Sequence, residues 1–499
     1  MKKVLLGVFL ATGLLTYAQQ IQDLPLFGLE QRTGTARFQA MAGAFGALGG
    51  DFSALAINPA GAAVFNHSQM GFGLSHFQTE NNTQLNATNT QANKGHLGFN
   101  QAGIVFVYDN SKNSPWKKIS LALNSDNSNQ YKSRVNAKGN TSNGLDQYFL
   151  HYANGTPFGD ILKLDGELLE EAYLNIGSQI GYAAQQAFLG YYSGVLDPAE
   201  LDNNSISSYV SNALYQQVRQ NHHIQTKGRN SKFVATTAAQ YKDFLFLGAG
   251  LEFQNLVFEK QGRINEDGYS ANSPIQYIDF DNFIRTDGNG VALSLGAIAR
   301  VSQFLRLGVS YKTPTWYTLS EKTHQQIGSN LEDVDIEFID QNQINLFEDY
   351  RITIPSKITL SGALVVGKRG LISVDYSQQD FSTARFRPLN DPYFSNLNSA
   401  ANNDLGTVNS LNIGGEFNLS RWSFRVGYSA QNSPFVNNTV NTINTSSGLG
   451  WVFNGGRIDF AYSQWEQSQS VSPLNFPEGT AFQMETRRNI ASMTYTLFF

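Results

Sequence analysis

The chain has 499 residues, a formal net charge of −5 and no cysteine. Charged residues make up 15% and aromatics 12%, against roughly 25% charged in soluble domains. These figures exclude a disulfide framework, a thiol nucleophile and a cysteine-held metal, and they give no electrostatic basis for nucleic-acid binding.

The first eighteen residues read as a secretory signal. Lys2 and Lys3 precede the apolar stretch Val4 to Leu15, and Thr16-Tyr17-Ala18 offers small residues at −3 and −1 of a cleavage site. The stretch is shorter than the roughly 20 residues of a spanning helix, so the mature chain is expected to start at Gln19. No later apolar run is long enough to span as a helix, which excludes a helical membrane protein.

Residues 19–65 do not alternate. Their Gly/Ala-rich run, GTARFQAMAGAFGALGGDFSALAINPAGAAVF, suits short close-packed helices and tight turns, as in a plug or hatch. From residue 66 to 499 the dominant signal is period two. Leu305, Leu307, Val309 and Tyr311 alternate with Arg306, Gly308, Ser310 and Lys312; Trp422, Phe424, Val426 and Tyr428 alternate with Ser423, Arg425, Gly427 and Ser429. One apolar and one polar face make a half-buried sheet, or a membrane barrel with lipid outside and water within. Strands are expected near 68–79, 95–109, 116–135, 231–242, 244–260, 289–301, 303–318, 352–366, 369–385, 408–419, 421–431, 446–454, 456–467 and 487–499.

These expectations amount to an all-β, transmembrane antiparallel barrel of about 14 strands. Its connections alternate. Tight turns at Lys242-Asp243, Ser302, Val366 to Arg369, Leu419 to Arg421 and Asn454-Gly455-Gly456 separate long polar loops at 80–94, 136–230, 261–288, 319–351, 386–407, 432–445 and 468–486. Outer-membrane barrels carry short periplasmic turns and long extracellular loops, so both barrel ends are expected to be periplasmic. Within loop 136–230, residues 167–192 carry Leu169, Ala172, Tyr173, Ile176, Ile180, Ala183, Ala187 and Tyr191 at helical spacing. That face either packs on the rim or forms an apolar groove open to ligand. The terminal Phe499 ends an aromatic strand of the kind barrel-assembly machinery reads.

The segment 34–65 resembles the FadL-type long-chain fatty acid transporter family, including its TodX-like hydrocarbon channels. Gly34, Arg37, Gly43, Asp51 and Asn58-Pro59-Ala60 match its hatch motif, with Phe65 opening the first strand. The Arg37–Asn58 spacing is about one residue longer than the common form. Further matches lie in LRLGVSYKTP (305–314), IPSKITLSGALVV with LISVDYSQQDFS, and FRVGYSAQNSP (424–434). The resemblance implies a fourteen-stranded barrel closed by a hatch, energy-independent uptake of a hydrophobic small molecule, and lateral release into outer-membrane lipid at a kinked strand. Alternation fails after Leu123, so Asn124, Asp126 and Asn127 are the expected kink.

A fatty-acid carboxylate calls for a lumen-facing cation. By parity Arg306, Lys312, Lys357, Arg425 and Arg457 face inward, as do the acids Glu252, Asp375, Glu416 and Asp459. Arg306 and Arg425 are the candidate ligand cations, against the alternative of paired lumen charges. The His222-His223 pair is expected in a solvated outer loop, since adjacent residues do not converge on one metal. No catalytic motif, metal site or cofactor is expected. A monomer is expected. A diffusion porin, a surface adhesin and an outer-membrane lipase are the competing functions.

Overall fold

A computed structural model describes residues 19–110, 114–331, 344–367, 369–437, 441–474, 476 and 479–499; the expected signal, 1–18, lies outside them. In β1 (Gln69–Leu85) the sequence pattern becomes geometry directly. Gly71, Gly73, Ser75 and Phe77 point into the lumen and are buried, while Met70, Phe72, Leu74 and His76 point outward. The same alternation recurs in β2 (Thr88–Asp109), β3 (Trp116–Gln130, resuming as Ser133–Thr141), β4 (Val218–Tyr241), β5 (Leu245–Asp267) and β6 (Tyr277–Arg300). It continues in β7 (Leu305–Lys312, resuming as Thr315–Ser329), β8 (Tyr350–Ile354, resuming as Lys357–Val366), β9 (Gly370–Asp380) and β10 (Thr407–Leu419). The last four are β11 (Trp422–Gln431), β12 (Thr442–Phe453), β13 (Gly456–Val471) and β14 (Phe482–Phe498).

All fourteen pair antiparallel with their neighbours, and β1 closes the barrel on β14, Gln69 opposite Phe498 and Gln84 opposite Gln483. Closure leaves no strand at the end of the sheet, the condition for strands to cross a bilayer, although β2 and β3 pair over only part of their length. Leu74, Leu123, Phe253, Leu295, Val309 and Phe424 lie 36–59% exposed on the outer face, an apolar belt that lipid, not water, must cover. Aromatic pairs ring the short-turn end: Trp116 against Tyr241 at 5.1 Å, Trp422 against Trp451 at 6.4 Å and Phe453 against Tyr495 at 5.9 Å. Turns there are tight enough to need positive φ at Lys242, Ser420, Gly367 and Gly455.

The opposite end departs from the sequence reading. The expected loop 80–94 is a hairpin with a two-residue turn, Asn86-Ala87. The expected loop 261–288 is largely strand, so are the described residues of the expected loop 319–351, and β4 begins at Val218 rather than 231. The cause is physical: beyond the lipid belt the outer face meets water, as at Arg263 and Asp279, while inner positions such as Ile264, Ile278 and Phe280 pack under the cap, so the apolar-outside alternation disappears while the strand hydrogen bonds continue. Loop 136–230 therefore shrinks to residues 142–217, which hold three helices: α3 (Leu145–Ala153), α4 (Leu169–Gln179) and α5 (Tyr182–Tyr192). The single helix expected over 167–192 breaks at Gly181, whose φ is 122°. Its apolar face packs rather than forming an open groove: Tyr173, Ile176 and Phe188 join Tyr148, Phe149 and Phe280 in one core capping the barrel. His222 and His223 lie on β4 rather than in a loop.

Residues 19–65 fill the lumen. They form α1 (Asp23–Gly28), α2 (Ala36–Ala40) and two 3-10 turns, Ser53–Ala56 and Pro59–Val64. Inward glycines of the wall receive them. A Cβ on Gly248, Gly296, Gly308, Gly414, Gly427 or Gly448 would stand 1.9–2.7 Å from atoms of hatch residues 40–60, so only glycine lets the hatch seat against the strands.

Candidate functional site

The hatch motif residues hold the hatch itself together and to the wall. Thr35 caps α2 and its hydroxyl donates to Asp51 at 2.8 Å. Gly34 has φ 133°, and a Cβ there would meet Ser53 Oγ at 2.2 Å. Gly43 has φ 76°. Asn58 caps the second 3-10 turn by accepting from Ala60 N at 3.1 Å, and it donates to Gly46 O at 2.8 Å and Ala297 O at 3.2 Å. Pro59 starts that turn, where its missing N–H costs nothing. Arg37 reaches the wall, 2.9 Å from Glu416; burial would lower the guanidinium pKa, but Glu416 together with Asp51 and Asp459 holds it above its ordinary value. Burial pushes the Asp51 carboxyl up, with Arg37 opposing.

The two candidate ligand cations are both engaged. Arg425 is 3% exposed, 2.6 Å from Glu416 and 2.7 Å from Asp459. Arg457 completes the chain at 2.6 Å from Asp459. Arg306 donates to the hatch carbonyl of Leu48 at 3.3 Å. Asp375 likewise accepts from the hatch, from Phe45 N at 2.9 Å and Gly46 N at 2.8 Å.

A different charge cluster lines a cavity between hatch and wall. Glu30, in the hatch, lies 2.9 Å from Lys232 and 2.8 Å from Lys312, and Lys312 lies 2.7 Å from Glu252. Arg32 and Lys357 line the same cavity. Arg32 stands over the Trp465 ring, 5.7 Å from its centroid. Among the described residues neither Arg32 nor Lys357 has an ion-pair partner. Phe27, Tyr317 and Ile354 supply apolar walls. The free room is only about 70 Å³, space for a few waters.

Parity places Lys312 and Lys357 inward but gives neither a role. Lys232 carried the same signal, as a cation one step from the outward Phe233. Glu30 and Arg32 stand in the non-alternating hatch, where no periodicity marks them.

The cavity abuts an incompletely paired stretch of wall. The β2–β3 ladder runs from Asp109 opposite Lys118 to Gln101 opposite Asp126 and stops. Beyond it β3 leans inward, residues 126–131 all buried, with a register shift between Asn127 and Asn129 against β4. Asn124 donates to Asp126 at 2.6 Å, and Asn127 donates back to Phe99 O at 2.6 Å. Asn124, Asp126 and Asn127 thus stand at the end of the ladder. The hatch covers this break: Gln31 N donates to Ser128 O at 3.0 Å, Thr33 Oγ1 to Asn127 O, and Asn129 to Leu29 O at 2.8 Å.

No protein-family model matches the sequence, and no curated protein does either. Solved structures do match in fold. A FadL homologue of Pseudomonas aeruginosa superposes with a TM-score of 0.53 over 95% of this chain and 100% of its own, at 11% identity. The toluene transporter TodX of P. putida gives a TM-score of 0.50 over 94% of this chain and 99% of its own, at 13% identity. With its fourteen closed strands and lumen-filling N-terminal segment, the chain has the FadL-type fold.

Proposed function

We propose that the protein is an outer-membrane channel for the uptake of hydrophobic small molecules, long-chain fatty acids among them. The observation that carries this reading is the conjunction of an apolar and cationic cavity, a hatch across it and an unpaired stretch of wall beside it. A hydrophobic ligand gains roughly 25 cal/mol per Å² on leaving water for such walls. Release sideways between β2 and β3 into lipid spares it a second exposure to water, and needs no energy-coupling partner. A fatty-acid carboxylate would be received by Lys357 and Arg32, which have no ion partner among the described residues, in preference to Arg306 and Arg425, which are engaged. Since the cavity holds only about 70 Å³, ligand passage requires the hatch segment around Glu30 to shift.

In this reading residues 1–18 are removed on export, barrel-assembly machinery inserts the chain, the short-turn end is periplasmic and the barrel works as a monomer. Enzymatic chemistry has no part in it.

The test is ligand titration of the folded barrel in detergent, by tryptophan fluorescence, with oleate and with toluene. Saturable binding of either, weakened for oleate by Lys357→Ala, is the expected result. A folded barrel that binds neither overturns the proposal, and high basal conductance in planar bilayers favours a diffusion porin.

A further inference from the structure

The first residues of the hatch end on a buried carboxylate whose hydrogen-bond partners are all neutral. Glu321, on β7, is 3% exposed. Its oxygens accept from Gln19 Nε2 at 3.1 Å, Tyr350 Oη at 3.0 Å and Thr286 Oγ1 at 3.2 Å. Asp23 stands within electrostatic reach and accepts from Gln20 N at 2.8 Å. Among the described residues neither carboxylate has a cation at ion-pair distance. An uncompensated buried carboxylate is costly. A second atom is also unsatisfied: Gln19, 2% exposed, has its Oε1 buried without a hydrogen-bond donor, while its backbone carbonyl is fixed by Tyr393 Oη at 2.6 Å. Among the described residues, a carboxylate without an ion-paired cation and an amide oxygen without a donor thus stand together beside residue 19, with Lys260 acting on Asp23 only from further off.

We propose that the missing donor is the α-ammonium group of Gln19 itself, created when the Ala18–Gln19 bond is cut, so that the processed N-terminus is an internal ligand of Glu321 with Asp23 beside it. The inference rests on the reading that residues 1–18 are removed. Hydrolysis adds the hydroxyl of water to the Ala18 carbonyl and a proton to the Gln19 nitrogen. The new amine, with an ordinary pKa near 8, takes a further proton and becomes the counter-cation. Processing thereby finishes the hatch. In the uncut chain the same nitrogen is a neutral amide and Glu321 stays uncompensated. A protonated, ion-paired amine is also a poor nucleophile, so Gln19 is protected from the usual fate of an N-terminal glutamine, attack on its own Cδ with loss of ammonia to give a neutral lactam.

The experiment uses the full-length barrel isolated from outer membranes. Mass spectrometry of the intact chain and its first peptide gives the starting residue and its chemical state, and reaction with an amine-acylating ester gives the accessibility of the terminus. The expected result is a chain starting at Gln19 with a free amine. It should be acylated about tenfold more slowly in the folded barrel than after unfolding, the fall in free amine when its pKa rises by one. Glu321→Gln should restore fast acylation, and Asp23→Asn should do so in part, with acylation of surface lysines in the same sample checking that each barrel is folded. A start at another residue overturns the processing reading and the inference with it. A start at Gln19 as the lactam, or equal acylation in wild type and Glu321→Gln, overturns the inference alone.

Discussion

Glu30 Oε1 lies 2.8 Å from Lys312 Nζ, while Oε2 of the same carboxylate lies 2.9 Å from Lys232 Nζ. One hatch residue thus ties itself to β4 and β7 together, across the cavity and beside the end of the β2–β3 ladder. Lys312 keeps Glu252 if Glu30 is lost, but Lys232 keeps no ion partner among the described residues. Glu30→Gln should therefore loosen the hatch by roughly 2–5 kcal/mol, the range for breaking a hydrogen-bonded charge pair at an interface. More frequent openings in single-channel recordings, with an unchanged heat-modifiable barrel, are the expected result.

The same contact fixes a pH dependence. Burial would raise the Glu30 pKa, but Lys232, Lys312 and Lys357 outweigh it and hold the carboxyl well below its ordinary 4.5. A carboxyl with a depressed folded pKa contributes its full stability above the unfolded value and loses it as pH falls through the folded one. The hatch should stay closed from neutral pH down to about 4.5 and open only in stronger acid. Conductance recorded against pH checks this, and the acid-induced step should be absent in Glu30→Gln.

Arg425 has a different part. With Glu416 at 2.6 Å and Asp459 at 2.7 Å, its guanidinium side chain is 1% exposed. Arg425→Met leaves two buried carboxylates with only Arg37 and Arg457 to hold them. Loss of one partner from such a network costs roughly 3–5 kcal/mol. The thermal unfolding midpoint should fall, while oleate affinity stays unchanged. Arg425→Met with Glu416→Gln should recover part of the loss, because neighbouring charges are coupled.

The barrel was legible in the sequence wherever one sheet face met lipid. Phe424, Val426 and Tyr428 against Ser423, Arg425 and Gly427 is a pattern with one physical reading, and the tight turns at Lys242 and Gly455 followed from it. Legibility ended where both faces turn polar, as at Thr79 to Leu85, which alternates in burial without alternating in hydrophobicity. The breaks in β7 and β8 coincide with Pro314 and Pro355, whose missing N–H interrupts a ladder. Asn124 to Asn129 read as a failure of alternation, which is the place where the ladder stops. Hatch contacts were not legible, because Glu30 meets Lys232, and Asn58 meets Gly296, only through a closed barrel, across more than two hundred residues of chain.

Gly296 tests that meeting directly. A Cβ there would stand 1.9 Å from Asn58 Oδ1 and 2.9 Å from Pro59 Cδ. Gly296→Ala should push Asn58 off Gly46 O and Ala297 O, an overpacking cost of roughly 1–3 kcal/mol. Protease cleavage within residues 40–60 should accelerate while the strands remain protected. Asn58→Ala removes the clashing amide, so the double variant should be cleaved more slowly than Gly296→Ala alone.

The last prediction concerns the break itself. Asn127 pairs with Ser231 and Asn129 with Asn230, so Ser128 is the extra residue that turns β3 inward. Deleting Ser128 removes the bulge, lets β3 run straight beside β2 beyond Gln101 and withdraws the carbonyl that holds Gln31 N. If ligand leaves between β2 and β3, the deletion should abolish uptake of radiolabelled oleate by whole cells while the purified barrel still folds and binds it. Ser128→Ala keeps the bulge, loses only the hydroxyl contact to Asn230 O at 3.0 Å, and should transport normally. Unchanged uptake in the deletion variant would place the exit elsewhere, along the lumen axis, and would make the stretch from Asn127 to Gln130 a seat for the hatch alone.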